Sequence, residues 1–537
     1  MNALFNPPDN EPIPATTQLG RRAVLKGLAA TGALAVPGLG IAACSSSSSP
    51  GPSSHKSTAT IKKGGTLRVA LSGGSSSDTL DCQSAITTVD FARIFQLNEP
   101  LIGFGPDARL VPILAEELTP SKDATSWVVR VKSGVTFHNG KSLTADDVMY
   151  SLRRVVNPKA PLPGAAPLAA VDAAGMKKLD SRTVKIPCHT PYAILDQTLA
   201  NYYYNIVPVG YDPKAPVGTG PFKFVSFTPG QQSVFDRYAS YWRNGQPYVD
   251  KVIISDFADE TSQLNALTSG QAEMVNQLSS GGGRTLQASG SNVVISKGGG
   301  WVPFTMRVDV APFNDVRVRQ AMRLLVNRPQ MLDAVFGGNG TVANDVFSRY
   351  DPSYNTSLAQ RHYDPAQAKS LLKAAGHENL RVELVSAPIA QGASGSAQAF
   401  VQQAKAGGVT ISLRQVTVTE FYGPQYLKWP FAQDFSFYQY YLPSVAQFFV
   451  PGGPYNECHY NNPRYTSLFK QALRIVDDKK RFPIIHEMQQ IDYSDGGYII
   501  PFFPPVIDGV AANVHGVHAT RTGAPLNNYD WRTIWIG

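Results

Sequence analysis

The sequence predicts an α/β protein of more than one domain, and three observations carry that prediction. Short alternating segments such as Gly65–Leu71 and Ser181–Ile186 recur between capped helical segments such as Asp364–Gly376. Two stretches break that alternation. One is Gly298-Gly299-Gly300 leading into Trp301–Val308, and the other is the apolar run Tyr498–Phe503 with prolines at 501, 504 and 505. A length of 537 residues leaves room for two or three domains.

The first residues read as an address rather than as structure. Arg21-Arg22-Ala23-Val24-Leu25-Lys26 is a twin-arginine pattern, and the weakly apolar run Leu28–Ile41 follows it. That run falls short of the roughly 20 apolar residues a membrane-spanning helix needs. Ile41-Ala42-Ala43-Cys44 then has the form of a bacterial lipobox, so residues 1–43 are expected to be a signal peptide and Cys44 the lipidated terminus. Residues 44–63, rich in Ser, Pro and Gly, cannot bury a core and read as a tether. A diacylated Cys44 would hold the protein on the extracytoplasmic face of the cell membrane.

Hydrophobic residues make up 43% and charged residues 16%, a balance that fits a folded globular chain. The net charge of +8 is spread along the sequence rather than gathered into a long basic block, so no nucleic-acid partner is expected. Cys82, Cys188 and Cys458 follow the lipobox; export permits a disulfide, but an odd number leaves at least one thiol unpaired within a monomer.

Gly65–Leu71 reads as the first strand, and Asp78-Thr79-Leu80-Asp81 as a loop beyond it. Asp90–Leu101 has helical spacing and ends in Asn98-Glu99-Pro100-Leu101; Ser126–Val131 is a strand by β-branched content. The run Gly134…Gly140-Lys141-Ser142 places five residues between its glycines where a phosphate-cradling loop has four, and Asn139-Gly140 is the better hairpin turn. Thr144-Ala145-Asp146-Asp147 opens a helix, with acids at its positive end. His138 reads as structural, and Tyr202–Tyr204 as an aromatic sheet edge or core.

Val217-Gly218-Thr219-Gly220-Pro221 turns the chain into two strands around Phe222 and Val234, which Tyr241-Trp242 closes. Val252–Asp256 is a strand and Thr261–Gly270 a helix. Pro312–Met322 reads as a capped helix with Val316, Gln320 and the region of Met322–Val326 facing a core, and its arginines read as surface and inter-element pairs. Asp364 suits an N-cap, Pro365 the first helical position and Gly376 the stop. Strand Arg381–Ser386, helix Gln398–Ala406, strand Val409–Val418 and helix Asp477–Gln490 complete a second α/β lobe.

Four strings carry a resemblance beyond local physics: Val217–Asp250, Gly134–Arg154, Pro312–Met322 and Tyr363–Gly376. Together they resemble the peptide/nickel class of extracytoplasmic solute-binding proteins that serve ABC importers. The resemblance runs through nearly all of residues 64–537. It implies a periplasmic-binding-protein-like fold of type II. Residues 64–108, 215–300 and 501–537 would form the first lobe, 109–214 a subdomain inserted in it, and 301–500 the second lobe. It also implies a monomer that binds a small-molecule or peptide ligand between the lobes and hands it to an ABC permease and its ATPase.

No catalytic constellation emerges. Gly392–Ser396 misses the nucleophile-elbow pattern, and His515 with His518, or Cys458 with His459, is an incomplete metal set. Neither a cofactor nor a metal is expected. The richest candidate site is Glu420–Phe449, crowded with aromatics, and the expected ligand contacts are Trp301, Phe421, Tyr438, Tyr440, Tyr441 and Phe502. In peptide-binding relatives an acid near Tyr441–Ser444 holds the peptide's amino group. Here Leu442-Pro443 stands in that place, with Asp434 a possible substitute, so the expected ligand is uncharged, anionic or apolar. The alternative is an exported enzyme, or a surface sensor or adhesin, on the same fold.

Overall fold

A computed structural model describes residues 60–537. The twin-arginine segment, the lipobox cysteine Cys44 and most of the tether lie outside the described residues. Three sheets organise the rest.

The first sheet has seven strands, in the order Asn292–Lys297, Pro505–Val510, Met274–Val275, Thr66–Ser72, Lys251–Phe257, Gln232–Arg237 and Phe222–Thr228. Thr66–Ser72 runs parallel to both its neighbours, with Val69 opposite Ile254 and Met274. Its inward residues Leu67, Val69 and Leu71 are buried with Ile94, Phe235, Val252 and Trp531 in one core. On its other face Ala70 is buried in a second cluster with Leu267 and Val275, so the central strand is covered on both sides around its middle.

The second sheet orders Thr410–Gln415, Arg381–Ser386, Phe431–Gln433, Phe304–Met306 and Tyr498–Ile499. Helices Val316–Leu324, Arg328–Phe336, Pro365–Ala374 and Ala393–Ala404 cover it, and Phe304, Met322, Leu372 and Phe400 meet in its core. The third sheet is an antiparallel set, Ala115–Pro120, Ser126–Val131, Thr183–Pro187 and Lys177–Asp180.

The chain leaves the first sheet at Lys297 and enters the second at Phe304; it returns between Ile499 and Pro505. These passages run side by side, because Lys297 pairs with Pro505 and Phe304 with Ile499. The returning passage is not one strand. Tyr498–Ile499 belongs to the second sheet, whereas Phe502–Phe503 pairs with Thr341–Val342 in a separate ribbon. Pro501 lies between the two short strands and has no N–H to donate to a ladder.

The glycines of the outgoing passage serve close approach rather than backbone rotation. None of Gly298, Gly299 and Gly300 adopts a positive φ. A Cβ on Gly298 would stand 2.7 Å from the Cα of Gly523, and one on Gly299 would enter the ring of Tyr438.

Several caps form as the sequence indicates. Thr144 and Asp147 make a reciprocal capping box, and Asp364 accepts from the Gln367 N–H at 2.9 Å. Other boundaries differ. The helix expected at Gln398 begins at Ala393, where the buried stripe through Ala397 and Phe400 starts. The strand expected to reach Val418 stops at Gln415, because the Thr417 hydroxyl accepts from the Glu420 N–H and starts a helical turn. Tyr202–Tyr204 is a turn of 3₁₀ helix rather than a sheet edge, with Tyr204 buried. The helix expected to end at Gln490 runs on to Asp495.

Candidate ligand site

Several of the sequence strings singled out above build the protein's frame rather than a site. Glu99 is buried and accepts from the Thr219 hydroxyl at 3.0 Å, the Tyr241 hydroxyl at 2.7 Å and the Trp242 indole N–H at 2.8 Å. Burial pushes its carboxyl up, and these three donors oppose that shift. A single carboxylate thus ties the Asn98–Leu101 corner to both ends of the Val217–Trp242 hairpin. His138 does similar work: its Nδ1 accepts from the Gly218 N–H at 3.3 Å, and Nε2 faces the Gly220 carbonyl at 3.0 Å. That pairing requires a neutral ring protonated on Nε2, and burial lowers its pKa to about 4.

The loop acids are likewise spent on the frame. Asp78 and Asp256 bind the buried Arg93 at 2.9 Å and 2.5 Å, and Asp81 binds Arg154 at 2.6 Å. Among the arginines of Val316–Leu324, Arg319 pairs with Asp495 at 2.5 Å, and Arg323 donates to the carbonyls of Tyr498 and Gly496.

The junction itself is aromatic. Tyr438 and Tyr440 project from the second lobe onto Phe104, Ala108 and Leu110, with Tyr350 alongside. Phe104 lies 5.3 Å from the Tyr438 ring and 5.4 Å from that of Tyr440. Next to them, Phe437 packs edge-on against Phe91 at 5.7 Å and Tyr202 at 6.2 Å, which places it on the core of the first lobe. Such ring pairs contribute about 0.5–1.5 kcal/mol each beyond area burial.

Trp301 and Tyr441 stand one layer back. Trp301 exchanges backbone bonds with Ser436, at 3.1 and 2.9 Å, and stacks on Phe347 at 5.5 Å. Tyr441 stacks on the other side of that cluster, 4.7 Å from Phe347. Its hydroxyl donates to Asp492, with the Tyr465 hydroxyl 2.9 Å away. Asp351 accepts the Tyr441 N–H at 2.7 Å and fixes the start of the helix Tyr441–Phe448.

Phe421 and Phe502 are placed elsewhere. Phe421 packs with Val385, Ala387 and Ala432 beside Trp429, and Phe502 is enclosed in the second lobe's core against Phe336, 5.2 Å away. Of the six ligand contacts expected from sequence, the structure therefore brings Tyr438 and Tyr440 directly together at the junction. Trp301 and Tyr441 support them, and Phe421 and Phe502 face lobe interiors. Phe104, Arg349 and Tyr350 join the junction without any periodic sequence signal.

Asp434 is enclosed as well. It accepts from the Tyr422 hydroxyl at 2.9 Å and the Tyr426 hydroxyl at 3.1 Å, while the Tyr498 hydroxyl donates to the neighbouring Glu457. Burial raises the affinity of both acids for protons. A depression of about 630 Å³ between Pro312 and Arg381 lies on the second lobe, away from the junction.

Cys82, Cys188 and Cys458 are all unpaired thiols. Burial raises the pKa of each, that of Cys188 to about 11, which keeps them protonated and unreactive. No cluster of three His, Cys, Asp or Glu side chains with metal-binding proximity occurs among the described residues. No helix among them is long and apolar enough to cross a membrane.

Comparison with known proteins places this architecture. The profile of the bacterial extracellular solute-binding proteins, family 5 Middle, matches residues 109–447, well over half of the chain. A glutathione-binding protein of Pectobacterium atrosepticum is 26% identical over 317 residues, 57% of this chain and 60% of that protein. The match thus spans less than two thirds of that relative's length. Among solved structures, the periplasmic binding protein AgaA of A. tumefaciens R10, in complex with agropinic acid, superposes with a TM-score of 0.75 at 21% identity. That superposition covers 88% of this chain and 99% of the other. The binding protein DppA of Helicobacter pylori, in complex with the peptide STSA, gives 0.76 at 19% identity, covering 89% and 99%. The family consists of binding proteins of ABC importers rather than enzymes, and its fold is the two-lobed type II periplasmic binding protein. The chain belongs to the bacterial extracellular solute-binding proteins of family 5.

Proposed function

We propose that this protein is the receptor of an ABC import system, capturing a small organic solute, peptide-like or otherwise, between its lobes and delivering it to the permease and ATPase. The aromatic junction is the observation that supports this most directly. Tyr438 and Tyr440 meet Phe104, Ala108 and Leu110 where two lobes linked by two passages approach each other. Residues 64–108, 215–300 and 501–537 act as the first lobe, 109–214 as its inserted subdomain and 301–500 as the second lobe. Solute entry requires the tyrosines to withdraw from Phe104, and reclosure buries the solute among the same rings. A ligand that binds one form better shifts the population toward it.

The cargo is read from the acids. A buried ammonium needs an acidic partner, because an unpaired buried charge is costly to desolvate. Leu442 and Pro443 occupy the place of the expected acid, and Asp434 is already held by two phenols. That favours a solute anchored otherwise than by an amine. Glutathione, agropinic acid and the peptide STSA, named for the relatives, are small organic solutes of this breadth.

The receptor works as a monomer, exported by the twin-arginine route and held on the outer face of the membrane by lipidated Cys44. Protein purified from its own host should carry a solute in native mass spectrometry. Small-angle scattering should show a smaller radius of gyration with that solute than after its removal. An identical profile in both states would show that the lobes do not close on cargo. Cys44→Ala should move the protein from the membrane fraction to the soluble one; persistence after carbonate washing would refute the anchor.

A further inference from the structure

Among the described residues, the most deeply buried arginines have carboxylate or carbonyl partners. Arg93 has Asp78, Asp90 and Asp256; Arg328 has Asp345; Arg323 is surrounded by carbonyls. Arg349 and Arg243 depart from that pattern; Arg243 lies over Trp242, and of the two Arg349 is the one beside the junction. It is half-buried, and its Nη1 is buried with no acceptor. The carboxylates nearest in sequence are committed elsewhere. Asp345 holds Arg328 and Arg361, at 2.6 and 2.8 Å, while Asp351 accepts from the Tyr441 N–H and from Ser353, both at 2.7 Å.

The position of this unpaired cation matters as much as its isolation. Its guanidinium lies 4.8 Å over the ring of Tyr350 and 5.3 Å from that of Phe503 in the returning passage. Tyr350 is part of the junction cluster, 6.2 Å from the Tyr438 ring, and its hydroxyl donates to the Lys297 carbonyl at 2.6 Å. A second cation, Arg521, stands 5.3 Å from the same Tyr350 ring. Two guanidiniums therefore flank one aromatic side chain where the lobes meet.

A guanidinium N–H buried without an acceptor favours an arriving oxyanion. The planar fork matches a carboxylate through two parallel hydrogen bonds, and aromatic surroundings strengthen them by excluding water. We propose that Arg349 anchors a carboxylate of the transported solute, so that the cargo class is small organic acids. This rests on reading the junction as the ligand site.

Full-length protein and its Arg349→Gln variant are titrated with benzoate, benzamide and benzylphosphonate, read by calorimetry and melting temperature. Benzoate should bind the natural protein about tenfold or more tighter than benzamide, as loss of a charged hydrogen bond predicts. Arg349→Gln should erase that difference, and its ligand-free melting temperature should equal or exceed that of the natural protein. Equal binding of benzoate and benzamide overturns the proposal. Tighter binding of benzylphosphonate than of benzoate overturns the carboxylate assignment. A melting temperature lowered by the substitution in the absence of ligand would make Arg349 a structural staple instead. Native mass spectrometry from the natural host separates the two levels of inference. An acid carried by the natural protein and lost from Arg349→Gln supports both; a solute retained equally by both overturns only the anchor. Absence of any solute on the natural protein counts against the receptor reading, and the benzoate titration still decides the anchor.

Discussion

The Tyr438 hydroxyl donates to the Ala108 carbonyl across the lobe junction, 3.4 Å away, at the outer limit of a hydrogen bond. The same ring rests on Gly299, where a Cβ would overlap it. One side chain therefore touches the first lobe and the outgoing passage together. Gly299→Ala should displace the Tyr438 ring and splay the lobes. Scattering from the ligand-free variant should show a larger radius of gyration than the natural protein, with weakened solute binding. An unchanged profile and affinity would mean that the ring sidesteps the methyl group.

Tyr440 and Phe502 make a paired test of which aromatics meet the solute. Tyr440→Ala should weaken binding roughly tenfold or more, at about 1.4 kcal/mol per decade, without unfolding the protein. Phe502→Ala empties a site enclosed in the second lobe's core and should cost about 3–5 kcal/mol of stability. Below its melting temperature that variant should bind solute as the natural protein does. Calorimetry beside urea denaturation checks both, and a loss of affinity in Phe502→Ala with Tyr440→Ala unaffected would invert the assignment.

His138 predicts an acid-limb effect. Burial lowers its pKa to about 4, against an ordinary value of about 6.5. The unfolded chain therefore takes up a proton that the folded ring resists. The ring's contribution is fully present above pH 6.5 and is lost progressively as pH falls toward 4. His138→Phe also removes the acceptor for the Gly218 N–H, so it should be less stable at neutral pH by about 1–3 kcal/mol. Its stability should, however, fall less steeply than the natural protein's between pH 6.5 and 4. Urea midpoints across that range measure the difference in slope; parallel curves would remove His138 from the titration.

Much of the frame was legible from residue order. Asp364-Pro365 with Gly376 mark a helix by backbone chemistry alone, whereas Gly218 and Gly220, which read as a turn, serve the close approach to Leu97 and Gln96. Where the sequence reading slipped, a local bond had overruled a pattern: the Thr417 cap ended a strand that Val416 and Val418 would otherwise prolong. The junction was only half legible. An aromatic run at Phe437–Tyr441 reveals crowding, but not which rings face Phe104 and which face Phe347. Arg349 left no trace at all, because its isolation depends on where Asp345 and Asp351 turn. Those choices are set by Arg361 and by the Tyr441 N–H, the latter 90 residues away in the chain.

Asp492 should show the opposite pH behaviour from His138. It is buried under the hydroxyls of Tyr441 and Tyr465, and no arginine binds its carboxylate directly. Burial raises its pKa to about 7, against the hydrogen bonds from the two phenols, which pull the other way. In the unfolded chain it titrates at about 3.9. Between these values the folded form holds a proton that the unfolded form has released. Stability contributed by this group is therefore present at pH 4 and is lost as pH rises toward 7, by a few kcal/mol in order of magnitude. Asp492→Asn keeps an acceptor for both phenols and cannot titrate. Its stability should fall less between pH 5 and 8 than the natural protein's. A residual slope should remain, because Asp508 is also raised to about 7 by burial. Urea denaturation at pH 5, 6.5 and 8 gives the comparison, and an identical slope in the two proteins would show that Asp492 is ionised throughout.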